Sequence, residues 1–356
     1  MEKVNFVDIC CGLNWGDEAK GKVIAALSKS NTYNFVCRWA GGSNAGHTVY
    51  LNGQKYKTHL IPCGIFYNIP SIIGPECVVN INSFKNEIIY LEENGFNTEL
   101  IKISPNAHLI TDNHIEEDKE KYNSQGSTVQ GIAPCYRDKY GRVGKRIKDV
   151  EFFKNFIWDE KLYGNVLCEG AQGFWLDINQ GNYPYVTSSI TLPYAACSLG
   201  FSPKRIRNIY GASKMYDTRS GIDPEFPESL LKDEELLSII KEGKEYGTTT
   251  NRMRKVNWLN LDKLVKSVNI SGTTDIIISK TDVLAKVNKF KIIYEDKIKA
   301  FDTLDSMKCF INTILNDKCC EIKNIIYSDH AEIVDETLLW GNRRFPLSTS
   351  SSIYYL

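Results

Sequence analysis

The segment Gly16-Asp17-Glu18-Ala19-Lys20-Gly21-Lys22 has the G-x4-G-K spacing of a phosphate-binding loop. The apolar run Val4 to Cys11 precedes it and Val23 to Leu27 opens a helix after it. That strand–loop–helix setting points backbone N–H groups and a helix N-terminus at an anion. Val23 stands where a magnesium-holding Ser or Thr would follow the lysine, and Asp17 is a carboxylate in the loop that can take the metal instead. A second loop, Gly41 to Gly46, leads into His47, whose side-chain type titrates near neutral pH. Arg252 and Arg254 put two guanidinium forks in one short stretch, the chemistry that grips carboxylates bidentately. Lys280-Thr281-Asp282 follows the apolar run Ile276-Ile277-Ile278. A carboxylate there can accept both the N1–H and the 2-amino group of guanine, a pattern adenine does not present.

The elements that must hold these groups are read from hydrophobic periodicity. Val4 to Cys11, Phe35 to Cys37, Ser71 to Asn80, Asn165 to Cys168, Ile206 to Gly211, Asp275 to Ser279 and Asn324 to Tyr327 are short apolar runs bounded by turn residues, as buried strands are. Helical spacing falls between them, at Asn82 to Glu93, Glu228 to Lys241, Leu259 to Val268 and Leu304 to Leu315. Alternation of this kind implies an α/β fold with a mainly parallel central sheet flanked by helices, in one continuous domain over residues 1–356. In such sheets ligands bind beyond the carboxyl ends of the strands, and the chemistry-bearing loops here all follow strands.

Composition narrows the function classes. Lys and Arg number 43 and Asp and Glu 43, so the 356-residue chain lacks the basic surplus that drives nucleic-acid binding. No run approaches the roughly 18 apolar residues of a membrane span, and no signal peptide is read at the N-terminus. The 11 cysteines lie mostly in apolar runs, and Cys10-Cys11 and Cys319-Cys320 are adjacent pairs rather than CxxC spacings. The expectation is a cytoplasmic protein with reduced thiols and no cysteine-held metal. His59, His108, His114 and His330 are read as structural.

The motif set as a whole resembles the adenylosuccinate synthetase family. The blocks are G-L-N-W-G-D-E-A-K-G-K (12–22), G-G-S-N-A-G-H-T-V (41–49), G-S-T-V-Q-G-I-A-P-C-Y (126–136), E-G-A-Q-G-F-W-L-D (169–177), Y-P-Y-V-T-S-S (183–189), K-M-Y-D-T-R-S-G (214–221), G-T-T-T-N-R-M-R-K (247–255) and S-K-T-D-V-L (279–284). They stand in the family's order. The resemblance implies a GTP- and magnesium-dependent ligase that phosphorylates O6 of a purine nucleotide and then displaces phosphate with L-aspartate. It implies Asp17 as general base and magnesium ligand, His47 as general acid, and Gln172 as the amide that reads O6. Gly16, Glu18, Ala19, Lys20, Gly21, Lys22 and Thr48 would serve the GTP phosphates, with Lys280 and Asp282 on its base and the Gly46 carbonyl on magnesium. Asn44, Thr128 and Thr187 would hold the monophosphate nucleotide; Thr249, Arg252 and Arg254 would clamp aspartate. Arg142 matches an arginine that the family donates across a dimer interface, implying a homodimer.

This chain departs from the family pattern in places. It lacks a long helical insert between Gly144 and Glu169. Ala19 replaces a loop glycine, and Val129-Gln130 replaces Gly-Arg. The loop 220–228 is altered, and Ser328-Asp329-His330 stands near a lost guanine-binding turn. IMP is the expected acceptor. The alternative is (d)GMP, whose 2-amino group needs an acceptor for which Asp223 is the candidate. A non-catalytic nucleotide sensor is the minor alternative; Asp17, His47, Gln172 and Arg252 together argue against it.

Overall fold

The computed structural model describes residues 3–122, 127–247 and 253–330. Its centre is a parallel sheet of β1 (Val4–Gly12), β2 (Phe35–Gly41), β5 (Ser71–Asn80), β6 (Ile101–Ile103), β7 (His108–Ile110), β8 (Gly164–Glu169), β9 (Ile206–Lys214), β12 (Asp275–Ser279) and β15 (Asn324–Tyr327). The strands run in the order β15-β12-β9-β1-β8-β2-β5-β6, and β7 also pairs with β5. The hairpin β3 (His47–Leu51) and β4 (Gln54–Thr58) stands apart from it. A second sheet holds β10 (Tyr216–Arg219), β11 (Lys255–Asn260), β13 (Lys291–Tyr294) and β14 (Lys297–Ala300).

Both faces of the central sheet are covered, as a parallel sheet requires. Cys10, Val36 and Ile73 point into one core with Val23, Ile24 and Leu27 of α1 (Lys20–Ser28) and Phe84 and Leu91 of α2 (Ile81–Glu93). Ile9, Cys11 and Cys37 point the other way, onto α5 (Glu234–Gly243), α6 (Leu261–Ser271) and α8 (Leu304–Lys318). Two short helices, α3 (Asp112–Glu117) and α4 (Ile132–Gly141), follow β7, and α7 (Thr281–Val287) follows β12.

The strands follow the apolar runs, with β5, β12 and β15 at the expected limits. Two helix expectations shift for local reasons. Glu228 to Lys241 is broken at Asp233, whose carboxylate accepts the N–H groups of Glu235 and Leu236 and starts α5 afresh. Leu259 and Asn260 end a strand, and the Asn260 side chain caps α6. The hairpin, all of the second sheet, and β6 and β7 fall outside the strand expectations. All the cysteines are free thiols, most of them buried. Among the described residues no helix is long and apolar enough to cross a membrane.

Candidate active site

A cavity of about 940 Å³ opens at the carboxyl end of the central sheet. The turn after β1 supplies Gly16, Asp17 and Ala19 through Lys22, and the turn after β2 supplies Asn44 through Thr48. Gln172 comes from beyond β8, Arg219 and Ser220 from β10, Lys280 and Asp282 from beyond β12, and His330 from beyond β15. Thr128 and Thr187 also line it. Distant segments meet because parallel strands all end on one side.

The phosphate-type loop is held in shape from within. Glu18 is buried, accepts the N–H groups of Asn14 at 3.2 Å and Gly16 at 2.7 Å, and pairs with Lys20 Nζ at 2.8 Å. Its carboxylate is thus a brace within the loop, and Glu18 is not among the residues that line the cavity. Ala19 ends the loop in the left-handed region, φ 65°, and α1 starts with no side-chain cap. The N–H groups of its first turn therefore have no side-chain acceptor competing with an anion. Gly21 is required by closeness: a Cβ there would stand 2.8 Å from the Thr48 carbonyl oxygen. Asp17, Gln172 and Lys280, with φ of 61°, 54° and 72°, are also left-handed and also line the cavity.

His47 sits on a buried charge relay that the sequence reading missed. Its Nδ1 contacts Glu169 Oε1, which also accepts from Arg38 Nη2 at 2.8 Å. The other Glu169 oxygen accepts the Cys63 N–H at 2.7 Å. Arg38 and Glu169 have no solvent exposure. Burial alone would raise the Glu169 carboxyl, but Arg38 and His47 outweigh it and hold it at about 2. Burial and the Arg38 charge push His47 down to about 4, against the pull of Glu169. The signal was present in sequence: an arginine inside the apolar strand F-V-C-R-W and a glutamate ending N-V-L-C-E each demand a buried partner. His47, Cys63 and Glu169 also bring three possible metal donors within 4.8 Å of one another. The Arg38 guanidinium in the same cluster already neutralises the carboxylate.

Gln172 carries both halves of an amide into this space. Its Oε1 and Nε2 are buried and, among the described residues, have no hydrogen-bond partner. Asp17 Oδ2 accepts from Ser220 Oγ at 3.2 Å and forms an ion pair with Arg254 Nε at 2.8 Å, close in distance but without the angle of a hydrogen bond. Arg254 Nη1 reaches Glu245 Oε2 at 2.7 Å. Lys280 Nζ donates to the Gly243 carbonyl at 2.9 Å. Lys22 turns from the loop toward the C-terminal segment, donating to Ser328 Oγ at 2.8 Å and to the His330 carbonyl at 2.9 Å. Burial pushes its ammonium down to about 8, with Asp282 pulling up, Lys280 adding to the fall and Asp329 opposing it.

The remaining assignments divide. Asn44 Oδ1 accepts the Gly42 N–H at 3.0 Å, and Ser43 donates to Gln130 at 3.2 Å, tying the second loop to the segment that carries Thr128. Asp223 stands apart from these residues. It is buried, does not line the cavity, and accepts from Trp15 Nε1, Asn182 Nδ2 and the Glu225 N–H at 3.2, 3.3 and 3.0 Å. Arg142 caps α4 in the left-handed region and is exposed, outside this chain's cavity. Thr249 and Arg252 lie outside the described residues. Of the histidines read as structural, His59 Nδ1 lies 2.8 Å from the Ala45 carbonyl oxygen and His114 caps α3 and meets Asp138, whereas His330 lines the cavity.

Comparison with known proteins gives one answer. The family profile described as adenylosuccinate synthetase matches residues 9–163 and 153–309. The adenylosuccinate synthetase of Lysinibacillus sphaericus is 36% identical over 342 residues, covering 80% of this chain and 79% of that protein. That of Fusobacterium nucleatum is 37% identical over 355 residues, covering 83% and 82%. Among solved structures, the fully ligated adenylosuccinate synthetase of Plasmodium falciparum matches with a TM-score of 0.71 at 30% identity, covering 84% of each chain. The succinoaminodeoxyadenylate synthetase of cyanophage S-2L, bound to dGMP and dATP, matches with a TM-score of 0.70 over 93% and 94% of the two chains. Its identity of 17% makes it a likeness of fold.

Proposed function

Because the chain belongs to the adenylosuccinate synthetase family, we propose that it joins L-aspartate to C6 of IMP, driven by GTP, to give adenylosuccinate. The observation that carries this reading is the unpartnered amide of Gln172, buried in the same cavity as Asp17 and His47. An amide offers one acceptor and two donors, which suits the O6 and N1–H edge of hypoxanthine.

The chemistry follows from what each group can do. Asp17 takes the N1 proton of IMP, which makes O6 nucleophilic. O6 bonds to the γ-phosphorus of GTP, and GDP leaves. The amine of aspartate then bonds to C6, phosphate departs with O6, and the amine gives up a proton. His47 donates from Nε2 to the developing negative charge, its ring fixed through Nδ1 by Glu169. Phosphate brought against His47 favours its charged form, so the ring takes up from solvent, as the phosphates bind, the proton it then donates. Thr128, Thr187 and Asn44 hold the IMP side, and Thr249, Arg252 and Arg254 hold the aspartate carboxylates. Gly16 and Ala19 through Lys22, with Thr48, face the GTP phosphates, and Lys280 and Asp282 face its guanine.

Magnesium fits the donors present. Both described contacts of Asp17 fall on Oδ2, and Asp17 and Gly46 both line the cavity and offer hard oxygen ligands. Bound there, it would neutralise charge on the phosphates. The exposed position of Arg142 supports a homodimer in which a second copy brings that arginine to the nucleotide. The absence of a membrane-spanning helix among the described residues agrees with a cytoplasmic enzyme.

The decisive experiment supplies the protein with GTP, magnesium, L-aspartate and either IMP or dGMP. Adenylosuccinate from IMP is the expected product. Turnover of dGMP with none of IMP overturns the choice of acceptor, and no turnover of either overturns the ligase reading.

A further inference from the structure

Glu245 is buried, with no exposure of its side chain, and does not line the cavity. Three cations converge on it nonetheless. Lys214 Nζ, from the end of β9, donates to both its oxygens at 3.2 and 3.1 Å. Arg254 Nη1 donates at 2.7 Å, and Lys280 Nζ stands 3.7 Å away. The Tyr216 hydroxyl, from β10, donates at 2.8 Å. The backbone takes part as well: the Arg254 N–H donates to the Glu245 carbonyl at 2.9 Å, and Lys280 donates to the Gly243 carbonyl just before it.

Two of these cations, Arg254 and Lys280, line the cavity, and they belong to segments proposed to hold different ligands. We propose that Glu245 is a positioning residue that ties the aspartate clamp to the guanine-reading turn, so that GTP and aspartate are bound by one electrostatic unit. This rests on the function proposed above. Among the described residues only Asp17 joins Glu245 in pairing with Arg254. Without Glu245, Lys214 and Lys280 would face Arg254 with no carboxylate partner of their own among the described ion pairs, and Arg254 would be left to Asp17 alone. The first effect displaces the two ligand-facing cations, and the second occupies the carboxylate that must take the N1 proton.

The test is Glu245→Gln, which keeps the shape and removes the charge. Losing one charge-assisted contact at each site should raise the KM for aspartate and the KM for GTP about tenfold each. The KM for IMP should stay within about twofold. A fall in kcat with all three KM values unchanged, or an equal rise in all three, assigns Glu245 to general stability and overturns the inference. Glu245→Asp, which keeps the charge but retracts it, should show the same split in milder form if the Gln variant does not fold. Unchanged KM values in that variant overturn the inference too. A wild-type protein that fails to make adenylosuccinate removes the underlying reading, whereas active wild-type with indifferent variants removes this inference alone.

Discussion

His47 can present only one ring nitrogen to a ligand, because Nδ1 is committed to Glu169. The value of that carboxylate lies in orientation and in the charge it places behind the ring. Glu169→Gln should therefore lower kcat by about 10- to 100-fold, as loss of an orienting partner does, with little change in the KM for GTP. It also leaves Arg38 buried without its counter-charge, which costs about 3–5 kcal/mol of stability. Thermal unfolding beside steady-state rates separates the two effects; full activity would remove Glu169 from the site. Lys22 makes a pH prediction of definite sign. Below about pH 8 its ammonium keeps its proton, and above that value it loses both its charge and a donor to the C-terminal segment. The kcat/KM for GTP should be level below pH 8 and fall above it, since that ratio reports the free enzyme. A profile that keeps rising to pH 9.5 would contradict the assignment.

At the scale of elements, the loops at the strand ends store backbone strain where the family places glycine. Ala19 and Val129 replace glycines, yet both keep positive φ, at 65° and 55°. A β-branched residue in that region is an outlier. Val129→Gly should raise stability by about 1 kcal/mol, measured by denaturant unfolding. Gly21→Ala should do the opposite to function. Its Cβ must push the loop off the Thr48 carbonyl, and GTP binding measured by calorimetry should weaken about tenfold or more. The strands that carry these loops were legible because each is a short apolar run ended by a turn residue. The hairpin of β3 and β4 was not, because Y-L-N-G-Q-K-Y-K is too short and too polar for a clear alternation. Asp17, His47, Gln172 and Lys280 were picked out from motifs, and the fold brings all four to one cavity. Arg38 and Glu169 were overlooked because each reads as one odd charge in an apolar strand, and only strand order sets β2 beside β8 and pairs Arg38 with Glu169. The setting of Asp223 was hidden for a related reason: sequence cannot show that its carboxylate is buried against Trp15 and Asn182 and set back from the cavity lining.

For the whole molecule, a zero net charge coexists with a cavity whose proposed substrates are all anions. The cations are concentrated, and several are neutralised from behind: Lys20 by Glu18, Arg254 by Glu245, Arg38 by Glu169. A long-range field therefore plays little part in capture, and binding should depend weakly on salt compared with a polyanion-binding protein. Ligands that bind only the folded form should raise the midpoint of unfolding, by about 2.7 kcal/mol of added stability at a hundredfold excess over Kd. GTP with IMP should shift it further than either alone. The order of strands carries a last consequence, for how the protein is made. β1 leaves the ribosome first yet lies between β8 and β9, with Val4 beside Gly164 and Val7 beside Ile206. The middle of the sheet must wait for its flanks, and the nucleotide cavity waits longer still, for Lys280 and His330. A nascent chain shorter than that is a holder of unpaired strands, dependent on whatever shields them, and it can gain no protection from the cell's nucleotides until those residues have been made and have joined the fold.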